Sequence, residues 1–231
     1  MTLATAVIAM DWQAIVLTLR LAALVSLLLV FVGLPIGYWL AYTRVRWKFL
    51  AEAIVAMPLV LPPTVLGFYI LLILGQSSAL GQLIKNGFGV TLPFTFTGLV
   101  VASVLYSLPF AVQPFAAGFS SVDPKLIQAS WLLGASKLRT FLRVILPLAV
   151  PGVLTGIVLS FAHTLGEFGV VLMVGGNIPG VTRTVSISIY DSVQMLDYPS
   201  AGKNAFVLLL FSFVVLSLVY GLTRRSGWTA R

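Results

Sequence analysis

The sequence predicts an all-α integral membrane protein with five transmembrane helices, and three observations predict it. Of its 231 residues, 59% are hydrophobic and only 9% charged, a balance that a water-soluble globule of ordinary composition does not have. Four stretches carry no charge (21–42, 53–84, 86–122 and 204–223), and a fifth, 144–166, has His163 as its only titratable group. Each is at least 20 residues long, and about 20 apolar residues cross a bilayer. The basic residues also segregate. Arg44, Arg46 and Lys48 follow the first stretch, Lys125, Lys137, Arg139 and Arg143 the third, and Arg224, Arg225 and Arg231 the fifth, which puts ten of fourteen on one side. By the positive-inside rule that side is cytoplasmic, so the N-terminus is predicted outside and the C-terminus inside. The same rule explains the net charge of +8 without any nucleic-acid partner. Absence of cysteine excludes disulfides and thiolate metal sites, and the first ten residues lack the charged start of a cleaved signal peptide, so a retained N-terminus is expected.

In chain order, Asp11 is placed to cap the first helix, with Trp12 at the interface. Gly33, Pro35 and Gly37 late in that span mark a kink or a close helix contact; packing and substrate contact both remain open here. Next comes Met57, Pro58, Leu59, Val60, Leu61, Pro62, Pro63, Thr64. Three prolines within six residues cannot share one unbroken helix, and irregular backbone at membrane depth is tolerated only inside protein or along a water-filled path. Pro62, Pro63 and Thr64 are therefore candidate pathway residues. The alternative reading is a membrane helix that begins at Pro62, preceded by a surface helix.

Residues 75–97 read as an outer loop with a short helix around 80–85. The third span, about 98–117, is expected to kink at Pro109. The fourth begins near Pro147 and Pro151 and closes on His163, Thr164, Leu165, Gly166, Glu167. His163 and Glu167 are four apart, so on one helix they could pair, and an ionisable residue within a membrane span is by default a functional candidate. At 1.5 Å per residue Glu167 would lie about 30 Å beyond Pro147, at the outer interface. A lone histidine with no carboxylate cluster gives no metal site. Ile187, Ile189 and Tyr190 are assigned to a short surface element before the last span. No internal repeat is visible.

Residues 122–147 form a charged, helix-forming island between apolar spans. Asp123 can cap a helix with Pro124 at its first position, Gly134 supplies a left-handed turn, and Ser136 can cap a second helix. Lys137, Arg139 and Arg143 face away from Leu138, Phe141, Leu142 and Ile145, an amphipathic helix for a membrane surface or a partner.

This island resembles the "EAA" loop of ABC-importer permeases: Gln128, Ala129 and Ser130 stand at the Glu-Ala-Ala positions, Leu133, Gly134 and Ala135 at the centre, and Val144, Ile145, Leu146, Pro147 at the end. Gln128 and Ser130 depart from the pattern. The run Pro58 to Pro63, the stretch Leu165 to Gly169, and Asn177 to Gly180 with Thr182, Arg183 and Thr184 resemble the molybdate branch of that family, where His163 stands at a position that is commonly Arg. The resemblance implies a single transmembrane domain over residues 1–231 in the plasma (inner) membrane, with 122–147 as the coupling loop. It implies a second copy of the chain, two ATP-binding subunits and an external oxyanion-binding protein as partners. Coupling would fall to Gln128, Ala129, Ser130, Leu133, Gly134 and Ala135, and a pathway or gate to Pro62, Pro63, Thr64, His163 and Glu167. No cofactor and no ATP hydrolysis are expected on this chain, which lacks a phosphate-binding glycine loop. A sulfate or thiosulfate permease is the alternative within the class; a secondary transporter or a membrane scaffold stands outside it.

Overall fold

The computed structural model describes residues 10–225, and every regular element among them is helical. The expectations for the start of the chain and for Arg231 fall outside those residues. Helix α1 (Trp12–Tyr42) starts where Asp11 accepts a hydrogen bond from the Ala14 amide at 3.0 Å, and it is followed by α2 (Lys48–Val60) and α3 (Pro63–Leu74). Helix α4 (Ala79–Phe88) is short, and α5 (Phe96–Ser120) is long and runs unbroken through Pro109 and Pro114. Helices α6 (Pro124–Leu132) and α7 (Lys137–Thr140) form the charged island. A π-helical turn (Phe141–Ile145) then joins α7 to α8 (Leu146–Leu165), followed by α9 (Gly169–Gly175), α10 (Val185–Gln194) and α11 (Tyr198–Arg225).

Four helical stretches are long and apolar enough to cross a membrane: Trp12–Tyr42, Phe96–Ser120, Lys137–Leu165 and Tyr198–Ser217. The pair Lys48–Val60 and Pro63–Leu74 makes a fifth if counted as one span, but it is bent by 114° at Leu61 and Pro62. Pro58 is absorbed within α2, and the break falls where Pro62 and Pro63 follow each other. The missing amide of Pro63 is harmless at the first position of α3. Both sequence readings of this stretch thus describe part of what is seen: α3 begins just after Pro62, and its first turn lines a cleft described below.

Helices α1, α5 and α8 form the core. Leu21, Val25 and Leu29 of α1, Leu99, Phe115 and Phe119 of α5, and Ala149 and Val153 of α8 are all buried there. The backbones of α5 and α8 touch, since a Cβ added at Gly152 would lie 2.6 Å from the Gly118 Cα. Small residues that allow such approach supply much of helix association in lipid, where burial of apolar groups gives no net drive. Gly37 answers the question left open by the sequence: its face lies against Phe115 and the Ala116 amide, so it serves packing.

The helix of the fourth span, α8, begins at Leu146, next to Pro147, and the π turn joins it to α7 in one helical path from Lys137. Two expectations are corrected. Helix α8 ends at Leu165, so Glu167 lies beyond it and does not share a helical face with His163. The stretch with Ile187 is a surface element on one side only, with Tyr190 exposed and Ile189 half-buried. Ile187 is fully buried, Val185 and Ser188 are buried, and the Val185 amide donates to Thr18 Oγ1 at 2.9 Å, which pins α10 to α1.

Candidate functional site

Two regions carry the residues singled out by sequence. The first is the island at the end of α5. Asp123 accepts from the Lys125 amide at 2.8 Å, Pro124 opens α6, and Gly134 adopts φ +79°, the left-handed conformation that glycine tolerates without steric cost. Ser136 then accepts from the Arg139 amide at 3.3 Å to start α7. The Ser130 hydroxyl is hydrogen-bonded to Thr140 Oγ1 at 2.9 Å, and Thr140 is buried, so Ser130 ties α6 to α7 across the turn. The outward side of this hairpin is apolar and uncovered: Leu132 is 89% and Leu133 88% exposed, with Trp131 and Leu138 also open. Among the described residues, apart from its two chain neighbours, nothing lies within 4 Å of a Cβ built on Gly134.

Behind the hairpin, the π turn packs its Phe141 ring edge-on against Tyr38 at 5.3 Å, and Tyr38 meets Phe119 in the same manner at 5.6 Å. The Tyr42 hydroxyl donates to the Phe119 carbonyl at 2.8 Å. These aromatic contacts join the hairpin's exit to α1 and α5. A π turn widens the helix by one residue and recurs at functional positions.

The second region is an open cleft of about 510 Å³. Pro63 and Thr64 from the start of α3, Tyr106 from α5, His163 from α8, and Glu167 and Gly169 beyond α8 line it. Of the five sequence candidates, four meet here; Pro62 caps α3 from outside the lining. Helix α9 is set closely on α3, since a Cβ at Gly169 would lie 2.8 Å from the Pro63 Cβ. Tyr106 lies about 21 Å along α5 from its end at Ser120, the end that carries the hairpin, at 1.5 Å per residue.

His163 is held by α5. Its ring stacks on Phe110 at 3.9 Å between centroids and lies 4.7 Å from Tyr106. Nδ1 is 2.9 Å from Ser107 Oγ, which is itself 3.0 Å from Thr164 Oγ1, while the Thr164 hydroxyl donates to the Ser160 carbonyl at 2.9 Å. Donor accounting then orders the chain. Thr164 has spent its one proton, so Ser107 donates to Thr164 and the His163 Nδ1–H donates to Ser107, leaving Nε2 as the free polar atom of the ring.

Glu167 is only 3% exposed, and neither carboxyl oxygen has a hydrogen-bond partner. Ser103 is the hydroxyl nearest in environment, but its Oγ is likewise buried and unpartnered. The His163–Glu167 pairing that the spacing allowed is absent, and Glu167 is enclosed rather than lying at an open interface. An ionised carboxylate buried without a partner is strongly disfavoured, so this group depends on protonation or on a partner from outside the chain.

Sequence reasoning does not single out Tyr106, Ser107 or Phe110, which the structure places around His163. Their signal was present: Ser103, Tyr106, Ser107 and Phe110 recur at three- and four-residue spacing, a polar and aromatic stripe on one face of an apolar span. Arg183, by contrast, is held 3.3 Å from Asp191 and 4.0 Å from Asp11, and its Nε donates to Asn177 Oδ1 at 2.6 Å, a clamp across the N-terminal end of α1.

A bundle of apolar helices long enough to cross a membrane, with an open cleft and an uncovered apolar hairpin at one end, has the form of a membrane subunit of a transport system. The family described as "Binding-protein-dependent transport system inner membrane component" matches residues 33–226, and the chain belongs to it. It is a multi-pass inner-membrane component of that kind. It is 53% identical over 215 residues to the molybdenum transport system permease protein ModB of Azotobacter vinelandii, covering 93% of this chain and 95% of that one. To the ModB protein of Escherichia coli (strain K12) it is 37% identical over 225 residues, 96% of this chain and 94% of that one. Among solved structures, the MetNI methionine ABC transporter matches with a TM-score of 0.75 over 97% of this chain and 99% of that chain, at 16% identity, a likeness of fold.

Proposed function

We propose that this chain is the permease subunit of an ATP-driven importer for molybdate. Two copies form the pathway, separate ATP-binding subunits dock on the hairpin of residues 122–147, and an external binding protein delivers the anion. The observation that carries the coupling assignment is the pair Leu132 and Leu133, large apolar side chains 89% and 88% exposed beside a left-handed glycine. Isolated apolar groups on a surface are ordinary, but a contiguous patch of Trp131, Leu132, Leu133 and Leu138 on a charged hairpin marks a protein contact. The cytoplasmic position of that hairpin, with the N-terminus of the chain outside, is supported by the ten basic residues on its side. Identity of 53% with a molybdenum permease along nearly the whole chain supports molybdate as the cargo.

The single transmembrane domain contributes the path and no ATP hydrolysis or cofactor. ATP binding reorients it only if the closed ATPase pair binds one orientation of the hairpin better than the other, since a ligand shifts an equilibrium by its differential affinity alone. The cleft is the pathway segment: the hydroxyls of Thr64 and Tyr106 offer hydrogen-bond donors to an anion shedding water, and Glu167, in the cleft wall, forms a gate. With its Nδ1 proton given to Ser107, the neutral ring presents Nε2 as an acceptor, so His163 donates to an oxyanion only when protonated, whereas an unpaired carboxylate repels one.

The test is uptake of isotopic molybdate by right-side-out vesicles containing the complete complex, with ATP inside and sulfate and tungstate as competitors. Saturable uptake that tungstate blocks and sulfate does not is expected. Sulfate competing as well as tungstate would move the assignment to the sulfate class, and uptake independent of ATP would remove the importer reading. In the same vesicles Ser136→Cys should resist an external impermeant maleimide; labelling from outside would invert the topology.

A further inference from the structure

Away from the cleft and the hairpin, Arg20 is a cation at a defined depth that forms no salt bridge among the described residues. Arg20 is exposed on α1, and its one aromatic contact is with the Phe96 ring, 5.7 Å from the guanidinium carbon. All six acidic residues of the chain lie among the described residues. Asp11 and Asp191 hold Arg183, Glu52 pairs with Lys48, Asp123 and Asp197 accept from helix-start amides, Glu167 is buried beside α5, and none forms a salt bridge with Arg20.

The depth follows from helix geometry. Residues 21–42 carry no charge and span about 33 Å at 1.5 Å per residue, close to the roughly 30 Å of bilayer hydrocarbon. Arg20 is the next residue outward. Its α-carbon is therefore at the boundary of hydrocarbon and headgroups, and its long side chain can reach the phosphate level, as cationic side chains near span ends do. This holds whichever end of α1 faces the cytoplasm.

Beside it lies an open groove of about 600 Å³, lined by Trp12, Gln13, Leu17, Arg20, Phe96 and Val181. Gln13, Leu17 and Arg20 follow one stripe of α1, so an amide donor, an apolar wall and a guanidinium succeed one another along the groove. A volume of this size accommodates a small-molecule headgroup. The fork of guanidinium donors suits the oxygens of a phosphate.

We propose that this groove binds one anionic phospholipid per chain, with the lipid phosphate on Arg20, the glycerol region against Leu17 and Phe96, and the Gln13 amide on the outer part of the headgroup. The lipid supplies the counter-charge that no acid of the chain provides.

The test uses the intact transporter in mild detergent, titrated with phosphatidylglycerol and, separately, phosphatidylcholine, with retained lipid counted by native mass spectrometry. Wild type is expected to hold one phosphatidylglycerol per chain about tenfold more tightly than Arg20→Gln, and to prefer it to phosphatidylcholine; Arg20→Lys should fall between. Equal retention by wild type and Arg20→Gln overturns the proposal, and so does equal retention of the two lipids. Displacement of the lipid by inorganic phosphate or molybdate at equal concentration would make the groove a small-oxyanion site. Loss of capture by the external binding protein in Arg20→Gln, with lipid retention unchanged, would make it a protein contact. Should Arg20→Gln fail to assemble, Phe96→Leu, which removes the ring beneath the guanidinium, is expected to weaken the retained lipid in the same direction, and no weakening there overturns the proposal.

Discussion

Between Val122 and Pro147 the helix starts and the turn are set by residues within four positions of the backbone they govern, whereas the cleft around His163 draws on segments more than a hundred residues apart. In the hairpin, Asp123, Gly134 and Ser136 each satisfy or free a nearby amide, and the result stands open to solvent. In the cleft, Pro63 meets Gly169, and His163 is fixed by Ser107 and Phe110 from another helix. The hairpin is therefore built to be met by something else, and the cleft is built by the fold. Changes in the first should act on docking while sparing the bundle, and changes in the second should act on stability or transport while sparing docking.

The largest expected effect is at Gly134. A valine at φ +79° carries backbone strain of about 1–2 kcal/mol, and a side chain pointing into open space in the free chain would obstruct a docked partner. Gly134→Val should insert normally and lose both co-purifying ATPase and ATP-driven uptake. Wild-type stoichiometry and rate in that variant would break the contrast at its first term.

Gly169→Val comes next. Its Cβ would sit 2.8 Å from the rigid Pro63 ring, an overpacking that costs about 1–3 kcal/mol. Thermal unfolding in detergent should shift down while the remaining folded protein still binds ATPase; an unshifted melting curve would show that α3 and α9 separate freely.

Glu167→Gln keeps the shape of a buried group and removes its capacity for charge. Uptake is expected to fall about tenfold, the change that about 1.4 kcal/mol makes, with membrane insertion and ATPase binding unchanged. Uptake at the wild-type rate would reduce Glu167 to a packing residue.

The smallest effect is expected at Ser130→Ala, which removes the hydrogen bond to Thr140 and costs about 1 kcal/mol of hairpin rigidity. ATPase association measured by titration should weaken several-fold while uptake at saturating ATPase persists. A variant that binds as tightly as wild type would show that the partner, rather than Ser130, holds α6 against α7.

The sequence by itself determined what depends on local chemistry and on the bilayer. Long uncharged stretches require helices because backbone amides have no partner in lipid except one another, so the spans at Trp12–Tyr42, Phe96–Ser120 and Tyr198–Ser217 were legible from composition. The caps Asp123 and Ser136 and the left-handed Gly134 were legible, because such features are decided by neighbours in sequence, but the π turn at Phe141–Ile145 and the Ser130–Thr140 tie were not. Tertiary structure alone decided three things. It ended α8 at Leu165, so that Glu167 leaves the helix and is enclosed near Ser103 instead of pairing with His163. It buried Ile187 by tying Val185 to Thr18, a contact 167 residues apart. It set at 114° the angle of the break that the prolines made legible, and so brought Thr64 and His163 to one cleft. The physical reason is common to all three. A helix period tells which face is apolar, but in a chain where nearly every face is apolar it cannot tell lipid from protein, and only the close approach of small residues such as Gly118, Gly152 and Gly169 chooses which faces meet.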